Sequence, residues 1–569
     1  MPPGDDSSRL EQLTTRVEEL ERRLSALENA SRIRTSDEEP AEPSAAGDRG
    51  ARAGMPAPAQ LSVFSIFGRA VLGIAGAYLL RAVAESGSLP QWIPVALAVV
   101  YSGAWLVWAA RPSEKSGLAR HVYGITAALI FSPMLWEVTV RFGILEPPVA
   151  ATLVTLFALL GLALAWRSTI SSVVWVGMLT GVITALVLMA ATRTLVPFSW
   201  ALLAMAILSE VAAVRGRWPI LRPVVAAAAD FAIVTLIIIL GDSAAIPSEY
   251  RAVGEGVMIA LVAGLFAIYA VSLTVRSLIL RLKIRRWEAA QFGISVLVPG
   301  WAVVRVTNGA GTFALGACCL VAGALCYVGA YGLLARHKER PDFAFYATWG
   351  VIFVMAGSFL ALPKLPLAIW LCVAAVLAME LGLRARSTAL IFHGVAFLGG
   401  AVVASGLAGY AGRALAGADP AGPQPLPIAA TGAALLCAGI VLRHTGEGPV
   451  DRFLRLMPAI LAVYGIAAFG VSMLIGLVGR GAGPTLPELA VIRTMVTCVA
   501  ALLLAFAGAR WKRLELVWMA YGIAVLGSVK LAFEDMRFGS TQSLAASLLI
   551  YGAVLILIPR LVRAGKRWA

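Results

Sequence analysis

The sequence is poor in charge for its length. Only 14% of its 569 residues are Asp, Glu, Lys or Arg, whereas 59% are hydrophobic and the mean hydropathy is +0.83. A soluble chain has about a quarter charged residues, so this composition excludes a protein whose whole surface faces water. From residue 61 onward, apolar runs of about 20 residues follow one another, and each is long enough to span a bilayer as a helix.

The sequence also has little cysteine or histidine. None of the six cysteines belongs to a CxxC pair, and none of the four histidines has a second histidine, aspartate or glutamate at metal-ligand spacing. All six cysteines lie within apolar runs, where cysteine is a small core residue. The sequence therefore predicts no disulfide framework, no metal site and no cofactor.

Familiar catalytic motifs are absent as well. There is no P-loop, GxSxG, HExxH or Rossmann fingerprint, which disfavours ATP-driven transport and the familiar hydrolase chemistries. The first residues lack the charged, apolar and small-residue regions of a signal peptide. We therefore expect the first apolar helix to act as an uncleaved insertion signal.

The basic residues are numerous but are not clustered on a soluble face. The formal net charge is +15, and outside the N-terminal region most Lys and Arg lie between apolar runs. Nucleic-acid binding would need basic residues grouped with aromatics in a soluble domain. We therefore predict the lipid bilayer, and not nucleic acid, as the partner of the apolar region.

Residues 1–30 have the pattern of a cytoplasmic coiled-coil helix. Ser8 and Glu11 form a capping box at its start. We interpret the helix as a segment for homo-oligomerisation, with a solvated single helix or one docked on a protein partner as the alternative. Six apolar residues recur with the a/d spacing of a heptad seam: Leu10, Leu13, Val17, Leu20, Leu24 and Leu27.

The remainder of the chain divides into a linker and a membrane domain. Residues 31–60 are predicted to be a disordered Pro/Ala-rich linker, and residues 61–569 a multi-pass transmembrane domain. The fold class is all-α: a polytopic helical membrane protein of about 18 transmembrane helices with an N-terminal coiled-coil helix. The predicted spans lie near 62–83, 91–109, 121–141, 148–166, 170–192, 196–213, 221–240, 255–275, 290–306, 312–334, 343–361, 366–383, 388–410, 427–442, 455–477, 487–509, 514–533 and 543–560.

Alternate connections between these spans differ in basic charge. One side has 27 Lys and Arg, and the opposite side has 8. The side richer in basic charge is cytoplasmic by the positive-inside rule. We therefore expect the N-terminus and the C-terminus to be cytoplasmic.

Two segments are similar to a known family. Residues 68–87 (GRAVLGIAGAYLLRAVAESG) and residues 530–535 (KLAFED, a Lys-x4-Asp ending) resemble the bacterial multi-pass membrane protein family catalogued as domain of unknown function 2339. The coiled coil, the linker and the long helical array also resemble that family. The resemblance implies a protein of the bacterial cytoplasmic (inner) membrane. It implies no reaction, because the family has none established.

Asp230 is the sharpest candidate for an intramembrane function. It lies in the middle of a predicted span, with no basic residue within one helical turn. An ionisable group at the bilayer centre costs at least about 2.5 kcal/mol on insertion scales, so its presence needs a reason. Any partner must come from another helix. We weigh a proton- or ion-coupled role against a structural hydrogen bond between helices.

Two acid–base pairs lie near the outer ends of predicted spans. Glu137 and Arg141 are four residues apart. Lys530 and Glu534 have the same spacing, with Asp535 adjacent. These spacings predict local ion pairs on the helix, which are either structural or line a polar cavity that opens outward.

Other charges are predicted to be exposed at span ends. Arg493 is two turns into its span without a local acid, and its long stem allows it to snorkel to the interface. Three glutamates near cytoplasmic span ends are predicted to form weak interfacial pairs with a nearby arginine: Glu210 with Arg215, Glu380 with Arg384 and Glu515 with Arg513.

Three functions remain open. We favour a non-enzymatic envelope scaffold whose coiled coil organises an oligomer or recruits a partner. The first alternative is a transporter or lipid-handling protein with a polar path through Asp230, Arg493 or Lys530, which requires these residues to converge on one cavity. The second is a membrane-embedded enzyme acting on a lipid or polyprenyl substrate, which requires four residues to lie together: Glu137, Arg141, Lys530 and Asp535.

Overall fold

The chain divides into two units, Met1–Ser65 and Ile66–Ala569. Glu19 and Arg22 are helical, but the predicted coiled-coil seam and the linker up to residue 57 lie outside the described residues, so both stay predictions. The computed structural model describes Glu19, Arg22 and residues 58–85, 90, 92–111, 117–168, 171–218, 220–242, 246–334, 341–417, 422–443, 448–478, 485–538 and 541–567.

Within these residues the chain forms helices and no strand. We label the helices in chain order: α1 Pro58–Glu85, α2 Trp92–Ala109, α3 Gly117–Trp136, α4 Pro147–Ser168, α5 Ser171–Thr192, α6 Leu195–Val214, α7 Leu221–Leu240, α8 Glu255–Thr274, α9 Arg286–Val306, α10 Thr312–Tyr327, α11 Pro341–Ala361, α12 Lys364–Arg384, α13 Thr388–Ser405, α14 Leu407–Ala416, α15 Pro425–Val441, α16 Pro449–Val478, α17 Leu486–Arg510, α18 Leu514–Lys530 and α19 Thr541–Arg567.

Four of the described helices continue into a π-helical turn. A π-turn places one extra residue in a helical turn and occurs frequently at functional sites. Three of the four contain charged residues. The turns are Glu137–Arg141 after α3, Val275–Ile279 after α8, Val328–Leu333 after α10, and Leu531–Asp535 after α18, which Met536–Phe538 extends.

The helices have the length and surface of membrane spans. Sixteen of them in the described part of the chain are long and apolar enough to cross a bilayer, whose hydrocarbon core of about 30 Å needs about 20 helical residues. Large apolar side chains cover the outer faces. Leu72, Phe533 and Leu549, for example, are each more than 70% exposed. Such a surface is unfavourable in water and fits the hydrocarbon of a bilayer.

Every predicted span coincides with a described helix, and two of the differences in their bounds bear on the sites described below. The predicted span 388–410 is two helices, α13 and α14, because the chain turns at Gly406 with a φ of +74°. Glycine adopts this left-handed conformation at little cost. The predicted span 290–306 begins earlier, at Arg286, which brings Glu288 into the first turn of α9.

The apolar core has three main clusters. The first joins α1 to α9, the second joins α11 to α16, and the third joins α15 to α19. Phe292 of α9 packs against aromatic rings of α11, with centroid distances of 5.5 Å to Phe345 and 5.0 Å to Trp349. This edge-to-face contact connects α9 of the first cluster to the helices that follow.

Candidate functional site

The structure separates the six candidate intramembrane residues. Among the described residues, no hydrogen bond or ion pair joins one group to another. Arg493, Lys530 and Asp535 are therefore brought together, but neither full set of residues named by the transporter or the enzyme hypothesis is connected. The three groups are Asp230 on α7; Glu137 and Arg141 after α3; and Arg493, Lys530 and Asp535 on α17 and after α18.

One group of buried charges joins α6, α7, α8 and α9. Nε and Nη2 of Arg222 lie 2.9 and 2.6 Å from the two carboxylate oxygens of Glu210. Nη1 of Arg222 lies 2.5 Å from Oε1 of Glu288, and Nη2 of Arg276 lies 3.1 Å from the same oxygen. Ser272 donates a further hydrogen bond to Glu210. We call these five residues the α6–α9 network.

The charges of the α6–α9 network cancel, with two arginines and two glutamates. All four side chains are at most 10% exposed. Removing an ion from water costs several kcal/mol, and only close pairing with good geometry offsets that cost. The ring of Trp287 also covers Arg222, with 4.4 Å between the guanidinium carbon and the ring centre. The network can therefore fix four helices relative to one another, and it has no net charge to attract a ligand.

Asp230 finds its partner on another helix, as predicted. Nε2 of Gln291 on α9 donates to Oδ2 of Asp230 at 2.8 Å. Oδ1 of Asp230 has no hydrogen-bond partner among the described residues. Asp230 lies eight residues beyond Arg222 on α7, which places it about 12 Å farther along the helix axis. Two contacts at different depths therefore connect α7 to α9, Arg222–Glu288 and Asp230–Gln291.

Lys530 and Asp535 belong to a second group of buried charges, which joins α17, α18 and α19. Nζ of Lys530 lies 2.6 Å from Oδ2 of Asp535, and it also donates to the Ala490 carbonyl at 2.8 Å and to Oγ1 of Thr494 at 2.7 Å. Ser547 of α19 donates to Oδ1 of Asp535 at 2.7 Å. Together with Arg493 and Glu534 we call these residues the α17–α19 network.

The π-turn Leu531–Asp535 presents two adjacent acids to different cations. Glu534 lies 2.6 Å from Arg493, and Asp535 lies 2.6 Å from Lys530. The predicted contact between Lys530 and Glu534 is present but longer, at 3.6 Å. Two cations and two anions therefore cancel in this network as well.

Arg493 does not snorkel, because its side chain is only 3% exposed. Its guanidinium donates to backbone carbonyls at the end of the short helix α14. The last carbonyls of a helix lack an intrahelical donor, and a cation is favourable at that end. Arg493 thus connects α14 to α17. The accepting carbonyls are those of Arg413 at 3.3 Å, Ala414 at 2.9 Å and Gly417.

Glu137 pairs with another helix and not within its own. Nη1 of Arg81 on α1 lies 2.7 Å from Oε1 of Glu137, while the guanidinium of Arg141 lies over the neighbouring aromatic ring at 5.4 Å. The predicted Glu137–Arg141 pair is therefore wrong. The reason lies in the tertiary structure. Side chains of α1 reach α3 at two points, since Arg69 donates a 3.2 Å hydrogen bond to Tyr123 and Arg81 contacts Glu137.

A cavity of about 410 Å³ lies beside this pair, and we call it the α1–α3 cavity. Its walls come from α1, α2, α3 and the residues that follow α3, and they are apolar except for Arg81, Glu137 and the Tyr78 hydroxyl. The side chains of Arg81 and Glu137 are 31% and 18% exposed. The α1–α3 cavity therefore combines an apolar volume with an accessible pair of opposite charges.

The predicted interfacial pairs have mixed outcomes. Glu380 and Arg384 form the predicted pair at 3.0 Å, on an exposed surface. Glu515 instead lies 2.5 Å from Arg455 of α16, whose side chain is 5% exposed. The predicted pairing of Glu515 with Arg513 is wrong, since Arg513 donates to a backbone carbonyl at the end of α15.

The α6–α9 network was missed at the sequence level. The predicted pair of Glu210 with Arg215 is wrong, and Arg222 and Arg276 are buried rather than exposed in connections. A signal is nevertheless present in the sequence. Glu210 precedes Arg222 by twelve residues, and Arg276 precedes Glu288 by twelve, so two helical hairpins place opposite charges in mirrored order. Each hairpin pairs its own glutamate with its own arginine, and the contact between Arg222 and Glu288 joins the two hairpins.

Metal-ligating residue types are dispersed. Among the described residues, no three His, Cys, Asp or Glu side chains are grouped so that they could hold a metal ion. His393 has a different neighbour, with Nδ1 3.0 Å from the hydroxyl of Tyr327. The buried polar side chains described above thus connect helices to one another.

The fold and these networks define the class of protein: a polytopic helical membrane protein in which most of the deeply buried charges lie in neutral inter-helix networks. No protein-family model matches the chain, and no curated protein or solved structure is significantly similar to it. The class therefore rests on the helices and on their apolar outer faces.

Proposed function

We propose that the chain is a non-enzymatic scaffold of the bacterial envelope, embedded in the cytoplasmic membrane and organised by its N-terminal coiled coil. The observation that supports this most directly is the separation of the candidate residues. A catalytic or transport site needs convergent polar groups at one cavity. Here three of the six candidates lie in the neutral α17–α19 network, Asp230 makes an inter-helix hydrogen bond, and Glu137 pairs with Arg81 while Arg141 lies over an aromatic ring.

In this proposal the membrane domain has eighteen spans and both termini are cytoplasmic. Arg222, Arg276 and Arg455 are among the 27 basic residues assigned to the cytoplasmic side, yet they are buried. Without these three, 24 basic residues remain against 8 on the opposite side. The positive-inside bias therefore supports the same orientation, and the resemblance to the family of unknown function supports a bacterial inner membrane.

The coiled coil would supply the organising contact. About three heptads are marginal for an isolated helix in water, but copies tethered beside one membrane have a raised effective concentration. The seam residues Leu13, Val17 and Leu20 occupy its centre. We therefore infer that a second copy of the chain covers the seam, and that this association is the function.

The test is a triple substitution, Leu13→Glu, Val17→Glu and Leu20→Glu, in the full chain. Three charges in the seam should convert an oligomer into a monomer, measured by native mass spectrometry in detergent. The variant should also fail to complement a strain that lacks the gene. Asp230→Asn, which removes the intramembrane charge, should complement fully.

The matched control places the same charges outside the seam of the same helix, as Gln12→Glu, Thr15→Glu and Ser25→Glu. This variant should oligomerise and complement as the unaltered chain does. The scaffold function is refuted if the seam variant complements, and an ion-coupled function takes its place if Asp230→Asn alone fails to complement.

A further inference from the structure

We propose that the α1–α3 cavity binds one phospholipid of the phosphatidylethanolamine type. One acyl chain occupies the apolar volume, the phosphate contacts Arg81 and the primary ammonium contacts Glu137. This inference is independent of the proposed function, because it concerns residues that have no part in the coiled coil.

The volume and lining of the cavity suit a hydrocarbon chain. Ligand sites in proteins are typically about 300–1,000 Å³ and mostly apolar, with a few polar groups that fix orientation. The α1–α3 cavity is about 410 Å³, and its charged lining consists of one arginine and one glutamate. Small side chains leave the space unfilled, since Ala77 of α1 and Ala98 of α2 face it.

The backbone of α3 contributes to the opening. Pro133 lies inside α3 and lines the cavity. Proline has no N–H to donate to the carbonyl four residues earlier, that of Leu129, and its ring pushes the preceding turn aside. The π-turn Glu137–Arg141 then changes the helical period one turn later. Leu129 and Pro133 thus border a gap in the packing of α3.

The cavity runs from the end of the helices towards the bilayer interior. Along α1 it extends from Arg81 to Ile74, and along α3 from Glu137 to Leu129. These intervals are seven and eight residues, which is about 10–12 Å of helix. Arg81 and Glu137 lie near the ends of their helices, where lipid headgroups would lie, and the apolar walls lie deeper. The charged end and the apolar walls of the cavity are therefore arranged in the same order as the headgroup and the acyl chains of a phospholipid.

Exposure distinguishes this pair from the α6–α9 network. Arg81 and Glu137 are 31% and 18% exposed, whereas the charged side chains of the α6–α9 network are at most 10% exposed. Their 2.7 Å contact joins Nη1 of Arg81 to Oε1 of Glu137. A ligand can approach both groups without first unfolding a network.

The two charges select the headgroup. A guanidinium binds phosphate with charge-assisted hydrogen bonds, and a carboxylate accepts them from a primary ammonium. Phosphatidylglycerol has no cation for Glu137. Its phosphate would therefore add a negative charge to the site without a positive charge to balance it. Phosphatidylcholine has a cation, but its quaternary ammonium has no N–H to donate. A phosphoethanolamine headgroup satisfies Arg81 and Glu137 together.

The first experiment needs no variant. The purified full chain in detergent is titrated with phosphatidylethanolamine, phosphatidylglycerol and phosphatidylcholine of identical acyl chains, and bound lipid is counted by native mass spectrometry. One phosphatidylethanolamine should bind about tenfold more tightly than the others, as expected for a charged hydrogen bond that they cannot make. Equal binding of the three lipids would overturn the proposal.

Variants then locate the site. Glu137→Gln should abolish the preference for phosphatidylethanolamine over phosphatidylcholine. Ala77→Phe, which fills the cavity, should remove the tight site for all three lipids.

The control Ala75→Phe adds the same ring at an exposed position of α1 and should bind lipid as the unaltered chain does. Ile74→Trp is a second filling variant in case Ala77→Phe does not fold. Retention of the tight site in a folded filling variant, or of the headgroup preference in Glu137→Gln, would show that the lipid binds elsewhere.

Discussion

The α6–α9 network and the Arg81–Glu137 pair use the same chemistry with opposite accessibility. Both join arginine to glutamate across helices at distances below 3 Å. In the network each charge is enclosed by helices and by Trp287, whereas the pair lies beside a cavity of about 410 Å³. Ion pairing alone therefore does not identify a charged residue as functional. Accessibility decides whether a buried pair holds helices together or can also receive a ligand.

The largest expected effect on stability comes from Arg222→Met in the enclosed α6–α9 network. The substitution leaves Glu210 and Glu288 buried, with the cation between them removed. Breaking a buried pair in this way should lower the free energy of unfolding by about 3–5 kcal/mol. The measurement is denaturant or thermal unfolding of the purified chain in detergent.

The control for that experiment is Arg384→Met, which removes an arginine that is 74% exposed from the pair with Glu380. Exposed pairs contribute about 0–1 kcal/mol, so this variant should unfold almost as the unaltered chain does. If the two variants lost the same stability, the assignment of the α6–α9 network as a helix-fixing element would be wrong.

A smaller effect is expected for Arg493→Met in the α17–α19 network. The change leaves the carbonyls at the end of α14 without their donor, but Glu534 is 21% exposed and keeps a contact with Lys530. We expect a loss of about 2–3 kcal/mol. Hydrogen exchange should accelerate in α14 more than in α6 or α7, and uniform acceleration across these helices would contradict the local role of Arg493.

The smallest effect on stability is expected for Arg81→Gln in the partly exposed Arg81–Glu137 pair. Because Glu137 is partly exposed there, water can hydrate it when the guanidinium is removed. The free energy of unfolding should change by less than about 1 kcal/mol, while the affinity for phosphatidylethanolamine falls. A loss of stability as large as that of Arg222→Met would place this pair among the closed networks.

The helices were largely predictable from the sequence, and their breaks were not. Each predicted span corresponds to a described helix because a run of about 20 apolar residues is a local property. The division at Gly406 escaped prediction, since glycine is common in membrane helices and only its φ of +74° marks the end of α13. Similarly, α9 begins before its apolar run because Glu288 is buried against arginines of other helices.

The partners of the charged residues depended on tertiary structure. Helical spacing predicted a pair of Glu137 with Arg141, and proximity at a span end predicted a pair of Glu210 with Arg215. Both glutamates instead pair with arginines of other helices. Only the exposed pair Glu380–Arg384 follows the local rule in full. Sequence spacing predicts an ion pair well where both side chains are exposed to water. It predicts poorly where helix packing determines which charged side chain is nearest.

The sequence by itself determined that this protein is helical and embedded in a membrane, because hydropathy and helix length act over about 20 contiguous residues. It also showed which residues are charged within the apolar region. The tertiary structure alone decided how those charges are neutralised, since Arg222 meets Glu288 across 66 residues and Arg493 meets Glu534 across 41. The physical reason is that a buried ion must be paired with whatever helix packing brings to it, and packing is not encoded in the spacing of any one helix.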